Sequence, residues 1–161
     1  MKFINTLICL FIIFTQVVLS EEKPLVVGME LEYPPFEFVN EQGFNDGVSV
    51  QMAKALSSYL GRPLEIKNIK FDALITALKT GSIDLIISSM TATDERRKSI
   101  LFSDPYVTTG LAMLVPVDSD ISNADDLMSG NKKIVVKLGT TGEAYARSVL
   151  KNAEILTMQH D

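Results

Sequence analysis

The chain has 161 residues, 47% of them hydrophobic, with 20 acidic against 15 basic side chains and a formal net charge of −5. Such a composition builds a globular core, in one domain or in one domain and part of a second. The acidic balance carries no basic stripe to neutralise phosphates, which argues against a nucleic-acid partner.

Residues 1–20 read as a leader. Lys2 gives a positive start, residues 7–14 (LICLFIIF) are an unbroken apolar run, and Val18-Leu19-Ser20 closes it. This predicts a secretory signal peptide, cleaved after Ser20, and a periplasmic location; an N-terminal membrane anchor is the competing reading. Cys9 is the only cysteine and lies inside the apolar run, so neither a lipid anchor, a disulfide nor a cysteine metal site is expected in the mature chain. His160 is the only histidine, which leaves a Ser/His/Asp triad or a histidine zinc site poorly supported. No metal and no other cofactor is expected.

After the leader, short apolar runs alternate with helical patterns, the signature of α/β architecture. Residues 24–28 (PLVVG) predict a buried strand, followed by a turn-rich stretch from Tyr33 to Gly47. Residues 49–60 predict a helix with Val50, Ala53, Leu56 and Leu60 on one face and Gly61 as its C-cap. Residues 64–69 alternate like a half-buried strand. Asp72 is placed to cap a second helix, with Leu74, Ile75 and Leu78 inward and Gly81 at its end. Residues 83–87 (IDLII) predict a buried strand, and Thr93 a cap for a short charged helix over 94–99. Crossovers of this kind give a mostly parallel sheet. A further apolar run covers 111–117. A polar connection over 118–131 follows, with a short helix around 125–128. A second unit then predicts a strand at 134–137, a helix at 142–151 and a strand at 154–158. One strand–helix–strand unit cannot cover both faces of its sheet. The expectation is a mostly present first lobe over 21–117 and a truncated second lobe over 118–161.

Ligands of open α/β sheets bind beyond the carboxyl ends of strands. There the sequence places Ser88, Ser89 and Thr91, followed by Arg96, whose planar fork matches a carboxylate. The same residues also make an ordinary capped helix start. Gly139-Thr140-Thr141-Gly142-Glu143 has capping-box spacing between Thr140 and Glu143, and such a helix start favours an anion. Neither a dinucleotide fingerprint nor a Walker loop occurs. Tyr33 and Phe71 follow the first two strands and are placed to wall a flat slot, whereas Phe36 and Phe102 are read as core. Glu30 either meets a cationic ligand group or is a solvated loop charge. Arg96, Thr141 and the turn at Ser88–Thr91 together suit an α-amino acid.

The motifs YPPFEF at Tyr33, FDALITALKTGSIDLIISSMTATDER from Phe71, FSDPY from Phe102 and LGTTGEAYA from Leu138 stand in a specific order. In these the chain resembles the bacterial extracellular solute-binding proteins, family 3, which serve polar amino-acid ABC transporters (lysine/arginine/ornithine, histidine and glutamine binders). The resemblance implies a two-lobed venus-flytrap fold, a monomer, and delivery of an amino acid to an inner-membrane permease. It implies that Tyr33 and Phe71 flank the ligand side chain, that Ser88, Ser89 and Thr91 bind its amino group and carboxylate, and that Arg96 pairs the carboxylate. Thr141 would donate from the second lobe and Lys137 would line the cleft. Glu30 matches the acid of the cationic-amino-acid binders, which leans toward arginine, lysine or ornithine. The family's aspartate for the ligand ammonium is expected beyond Asp161, and Gly142 stands where several relatives carry glutamine. The alternatives are a sensing module of a receptor, an enzyme that dehydrates cyclic carboxylic acids like cyclohexadienyl dehydratase, and an inactive truncated product.

Overall fold

The computed structural model describes residues 22–129 and 132–159. The leader, its cleavage point after Ser20, Cys9, His160 and Asp161 lie outside the described residues. In chain order the first elements are β1 (Leu25–Met29), β2 (Glu32–Tyr33), β3 (Glu37–Val39), β4 (Asn45–Asp46), α1 (Val48–Leu60) and β5 (Leu64–Asn68). A 3-10 turn, Phe71–Ala73, runs into α2 (Leu74–Lys79), followed by β6 (Leu85–Ile86) and α3 (Asp94–Arg97). After a second 3-10 stretch, Ala124–Ser129, come β7 (Lys133–Lys137), α4 (Thr141–Val149) and β8 (Glu154–Met158).

The main sheet has the order β5-β1-β6 with both pairs parallel. Its central strand is apolar almost throughout because both of its faces are covered. Leu25, Val27 and Met29 pack with Val50 and Ala53 of α1. Gly28 faces the other way, toward Leu74 and Ile83. The chain between β1 and α1 forms a small antiparallel sheet, β2-β3-β4. A separate parallel pair, β7-β8, shares a core with α4 in which Leu127, Ala146 and Leu150 are buried.

Several expected elements differ from those observed. Asp72 does not cap a helix: it sits inside the 3-10 turn, and α2 begins after Ala73 without a side-chain cap. The Ala73 N–H already closes that turn on the Lys70 carbonyl at 2.9 Å. The strand expected over 83–87 is reduced to β6, because its ladder with β1 spans only Val27 and Gly28; Ile83 and Ile87 are nonetheless buried. The apolar run at 111–117 forms neither helix nor strand among the described residues, and Leu114 and Val117 lie fully open to solvent. Phe36 and Phe102 are half-buried rather than core; Phe36 stacks on Tyr33, and Arg97 lies over the Phe102 ring. Gly61 caps α1 in the left-handed conformation, as its position predicts. No helix among the described residues is long and apolar enough to cross a membrane.

Candidate functional site

Parallel neighbours end side by side, so the residues that follow β1 and β6 meet. The Glu30 N–H donates to Ser88 Oγ at 3.0 Å, which joins the two strand ends through buried groups. Ser89 follows with φ 49°, a left-handed conformation uncommon for a residue with a side chain. This conformation accompanies a hydrogen bond from Ser89 Oγ to Glu37 Oε2 at 3.1 Å. Thr93 caps α3 by accepting the Arg96 N–H, and α3 carries the Arg96 side chain.

Arg96 bridges the loop after β6 and the turn after β7. Its Nη1 donates to the Thr91 carbonyl at 2.7 Å and its Nη2 to the Gly139 carbonyl at 2.9 Å. The guanidinium carbon lies 5.4 Å from the centre of the Phe71 ring. A guanidinium has five N–H donors, so these two carbonyls do not exhaust its fork. Burial pulls its pKa below the ordinary arginine value, and it stays charged at neutral pH. Gly139 has φ 77°, and a Cβ there would stand 3.0 Å from Cβ of Asp72, so both its conformation and the close approach require glycine.

Lys137, the last residue of β7, reaches across to the main sheet. Its Nζ lies 2.8 Å from Glu30 Oε2, with side-chain exposures of 16% and 5%. Glu30 Oε1 is buried and has no hydrogen-bond partner among the described residues. The start of α4 is built as its spacing suggests: Thr140 Oγ1 accepts the Glu143 N–H. Glu143 itself departs from the usual capping box. Its Oε2 accepts from the Gly139 N–H at 2.7 Å, which holds the turn before the helix.

All nine residues singled out in the sequence (Glu30, Tyr33, Phe71, Ser88, Ser89, Thr91, Arg96, Lys137 and Thr141) line one cavity of about 250 Å³. Glu37, Thr109, Leu111, Thr140 and Gly142 also line it. A larger cavity of about 570 Å³ opens alongside, walled by side chains such as Leu78, Leu85, Met90 and Phe102. The smaller one is the candidate site, because four charged side chains converge there. Among the described residues no cluster of His, Cys, Asp or Glu has the makings of a metal site.

Glu37 was not singled out from the sequence. The available signal was an acid between two aromatic residues in YPPFEF. Its Oε2 accepts from Ser49 Oγ at 2.5 Å and from Ser89 Oγ, and the residue is 1% exposed. Burial pushes its carboxyl pKa up from the ordinary value of 4.5, against the lowering effect of the two hydroxyls. A raised acid binds more protons folded than unfolded, so its contribution to stability falls as pH rises from 4.5 through the folded value. Glu37→Gln should therefore flatten the decline in stability over that window. Urea titrations of both proteins from about pH 4 to 8 check this; an equally steep profile in the variant would assign the slope elsewhere.

The family model for bacterial extracellular solute-binding proteins, family 3, matches residues 25–156. The chain belongs to this family. Among family relatives, the L-cystine-binding protein TcyJ of Escherichia coli (strain K12) is 35% identical over 144 residues, covering 88% of this chain and 53% of the relative. The arginine-binding extracellular protein ArtP of Bacillus subtilis (strain 168) is 39% identical over 131 residues, covering 81% of this chain and 50% of the relative. In structure the chain is similar to the ancestral amino acid-binding protein AncCDT-1, a precursor of cyclohexadienyl dehydratase, with a TM-score of 0.81 and 40% identity. That match covers 85% of this chain and 61% of the other. It is also similar to holo ArgBP from T. maritima, with a TM-score of 0.79 and 39% identity, over 84% of this chain and 60% of the other. The two α/β bodies thus belong to the two-lobed periplasmic-binding-protein fold. The chain spans about half the length of the curated relatives it matches.

Proposed function

We propose that this chain captures an amino acid outside the cytoplasm for delivery to an ABC transporter permease. The observation that carries the reading is one cavity in which Arg96, the start of α4 and the Glu30 carboxylate converge from both bodies. An α-amino acid carries one carboxylate and one ammonium. The remaining donors of Arg96 and the N–H groups at Thr141 and Gly142 suit the carboxylate. Ser88, Ser89 and the carbonyl groups of their turn suit the ammonium, and the Tyr33 and Phe71 rings suit the side chain. In this reading the first lobe covers 21–117 and the second begins at 118, after a leader cleaved behind Ser20; the protein works as a periplasmic monomer. Relatives named as cystine and arginine binders support the substrate class.

Binding is favoured over an enzymatic role. General acid or base chemistry needs a positioned acid or base within reach of the reacting proton, and the carboxyl groups of the cavity are the candidates. Glu30 is engaged by Lys137, and Glu37 by two serine hydroxyls. The test is thermal unfolding of the chain against a panel of free amino acids. A ligand at a hundred times its Kd stabilises the folded state by about 2.7 kcal/mol. At least one polar amino acid should raise the melting temperature; no shift with any of them removes the reading.

A further inference from the structure

Among the described residues, Ser89 is the only one with a side chain whose backbone is left-handed. Such a conformation persists where its surroundings hold it, and it gathers at ligand clamps. The turn around it is tied at three points. Ser88 Oγ accepts the Glu30 N–H, and the Thr91 carbonyl accepts Arg96 Nη1 at 2.7 Å. Between them, the Ser89 side chain donates to Glu37 Oε2 at 3.1 Å.

Glu37 is a firm anchor for that bond. It sits in β3, and the same carboxylate oxygen accepts from Ser49 Oγ at the start of α1. At 1% exposure it is too deep to serve as a ligand contact itself, although it stands in the cavity wall. Its hold on Ser89 also has a chemical effect. A hydroxyl has one proton and two lone pairs. With the proton committed to Glu37, the Ser89 oxygen has only lone pairs left to offer, and these suit an ammonium donor.

We propose that Glu37 is a positioning residue for capture. By taking the Ser89 proton it fixes the left-handed turn that carries Ser89 and Thr91, and it leaves the Ser89 oxygen as an acceptor for the ligand ammonium. This rests on the capture reading above. Because the Thr91 carbonyl steadies Arg96, the same hold reaches the carboxylate clamp through the turn.

The experiment titrates the full chain calorimetrically with L-arginine, L-glutamine and L-histidine, with a circular-dichroism melt of every variant. Glu37→Met removes the acceptor and should weaken binding by about ten-fold, roughly what one hydrogen bond supplies. Glu37→Asp, whose carboxylate is one methylene short of Ser89, should show a similar loss and guards against Glu37→Met failing to fold. Glu37→Gln keeps the length and an oxygen that accepts both hydroxyls, so it should recover affinity to within about three-fold of wild type. Glycine adopts the left-handed turn unaided. In a Ser89→Gly background, Glu37→Met should therefore add less than about a three-fold loss. Three results each overturn the inference while leaving amino-acid capture intact: unchanged affinity in Glu37→Met and Glu37→Asp, a Glu37→Gln chain as weak as Glu37→Met, or a Glu37→Met loss as large in the Ser89→Gly background as in wild type. A wild type that binds none of the three amino acids overturns it too, and no shift across the wider thermal panel removes the capture reading with it.

Discussion

Arg96→Ala should weaken amino-acid binding by about a hundred-fold or more while leaving the fold in place. A hydrogen bond to a charged group contributes about 1.5–3 kcal/mol, and a bidentate carboxylate contact supplies two. Losing both costs about 3 kcal/mol at the lower end, and each 1.4 kcal/mol is about ten-fold in affinity. The variant also loses the contact from Nη2 to the Gly139 carbonyl, which joins the two bodies across the cavity. The fold should survive, because Arg96 lies outside both hydrophobic clusters. Arg96→Lys should recover little of the affinity. An ammonium is a point charge and cannot reach the Thr91 and Gly139 carbonyls while forking onto a carboxylate. Calorimetric titration alongside a circular-dichroism melt checks both halves. An Arg96→Ala chain that keeps its ligand-induced melting shift would take Arg96 out of the site.

Leu74→Ala should be the most damaging of the substitutions considered for stability, at about 2–5 kcal/mol. Leu74 is fully buried at the start of α2, on the face of the sheet opposite α1. Its seat exists because Gly28 has no side chain: a Cβ on Gly28 would press on Ile83 Cδ1 and stand 3.1 Å from Leu74 Cδ2. Truncating Leu74 leaves a void that the short α2 cannot collapse to fill. The damage should extend to the cavity, since the turn just before Leu74 holds Phe71 under Arg96 and Asp72 against Gly139. Denaturant unfolding with an unchanged m-value and a lower midpoint is the expected result. A loss under about 1 kcal/mol would mean that the site repacks.

The parts of the fold that follow from local periodicity were legible in the sequence. Helix α1 with its Gly61 cap and strand β8 each depend on patterning within one segment. What depends on a neighbour was less so. The length of β6 is set by how far β1 runs beside it, and the run at 111–117 would become a strand only where another strand meets it. The cavity was largely legible because of topology. Parallel strands β1 and β6 end together, so Glu30 and Ser88 meet although 58 residues separate them. Neither the Lys137–Glu30 pair nor the burial of Glu37 was legible. The first depends on how two separately folded sheets face each other, and the second on Ser49 and Ser89 converging from distant segments.

The open apolar stretch between the two sheets has a consequence for how enzymes cut this chain. Cleavage favours exposed backbone that is free of secondary structure, and residues 101–115 have none among the described residues. The stretch contains neither lysine nor arginine from residue 99 to residue 131, so a trypsin-like enzyme passes over it. A chymotrypsin-like enzyme instead meets Leu101, Tyr106, Leu111 and Leu114, all exposed. One nick there severs the covalent link between the halves, and their continued association then falls to contacts such as Arg96 with Gly139 and Lys137 with Glu30.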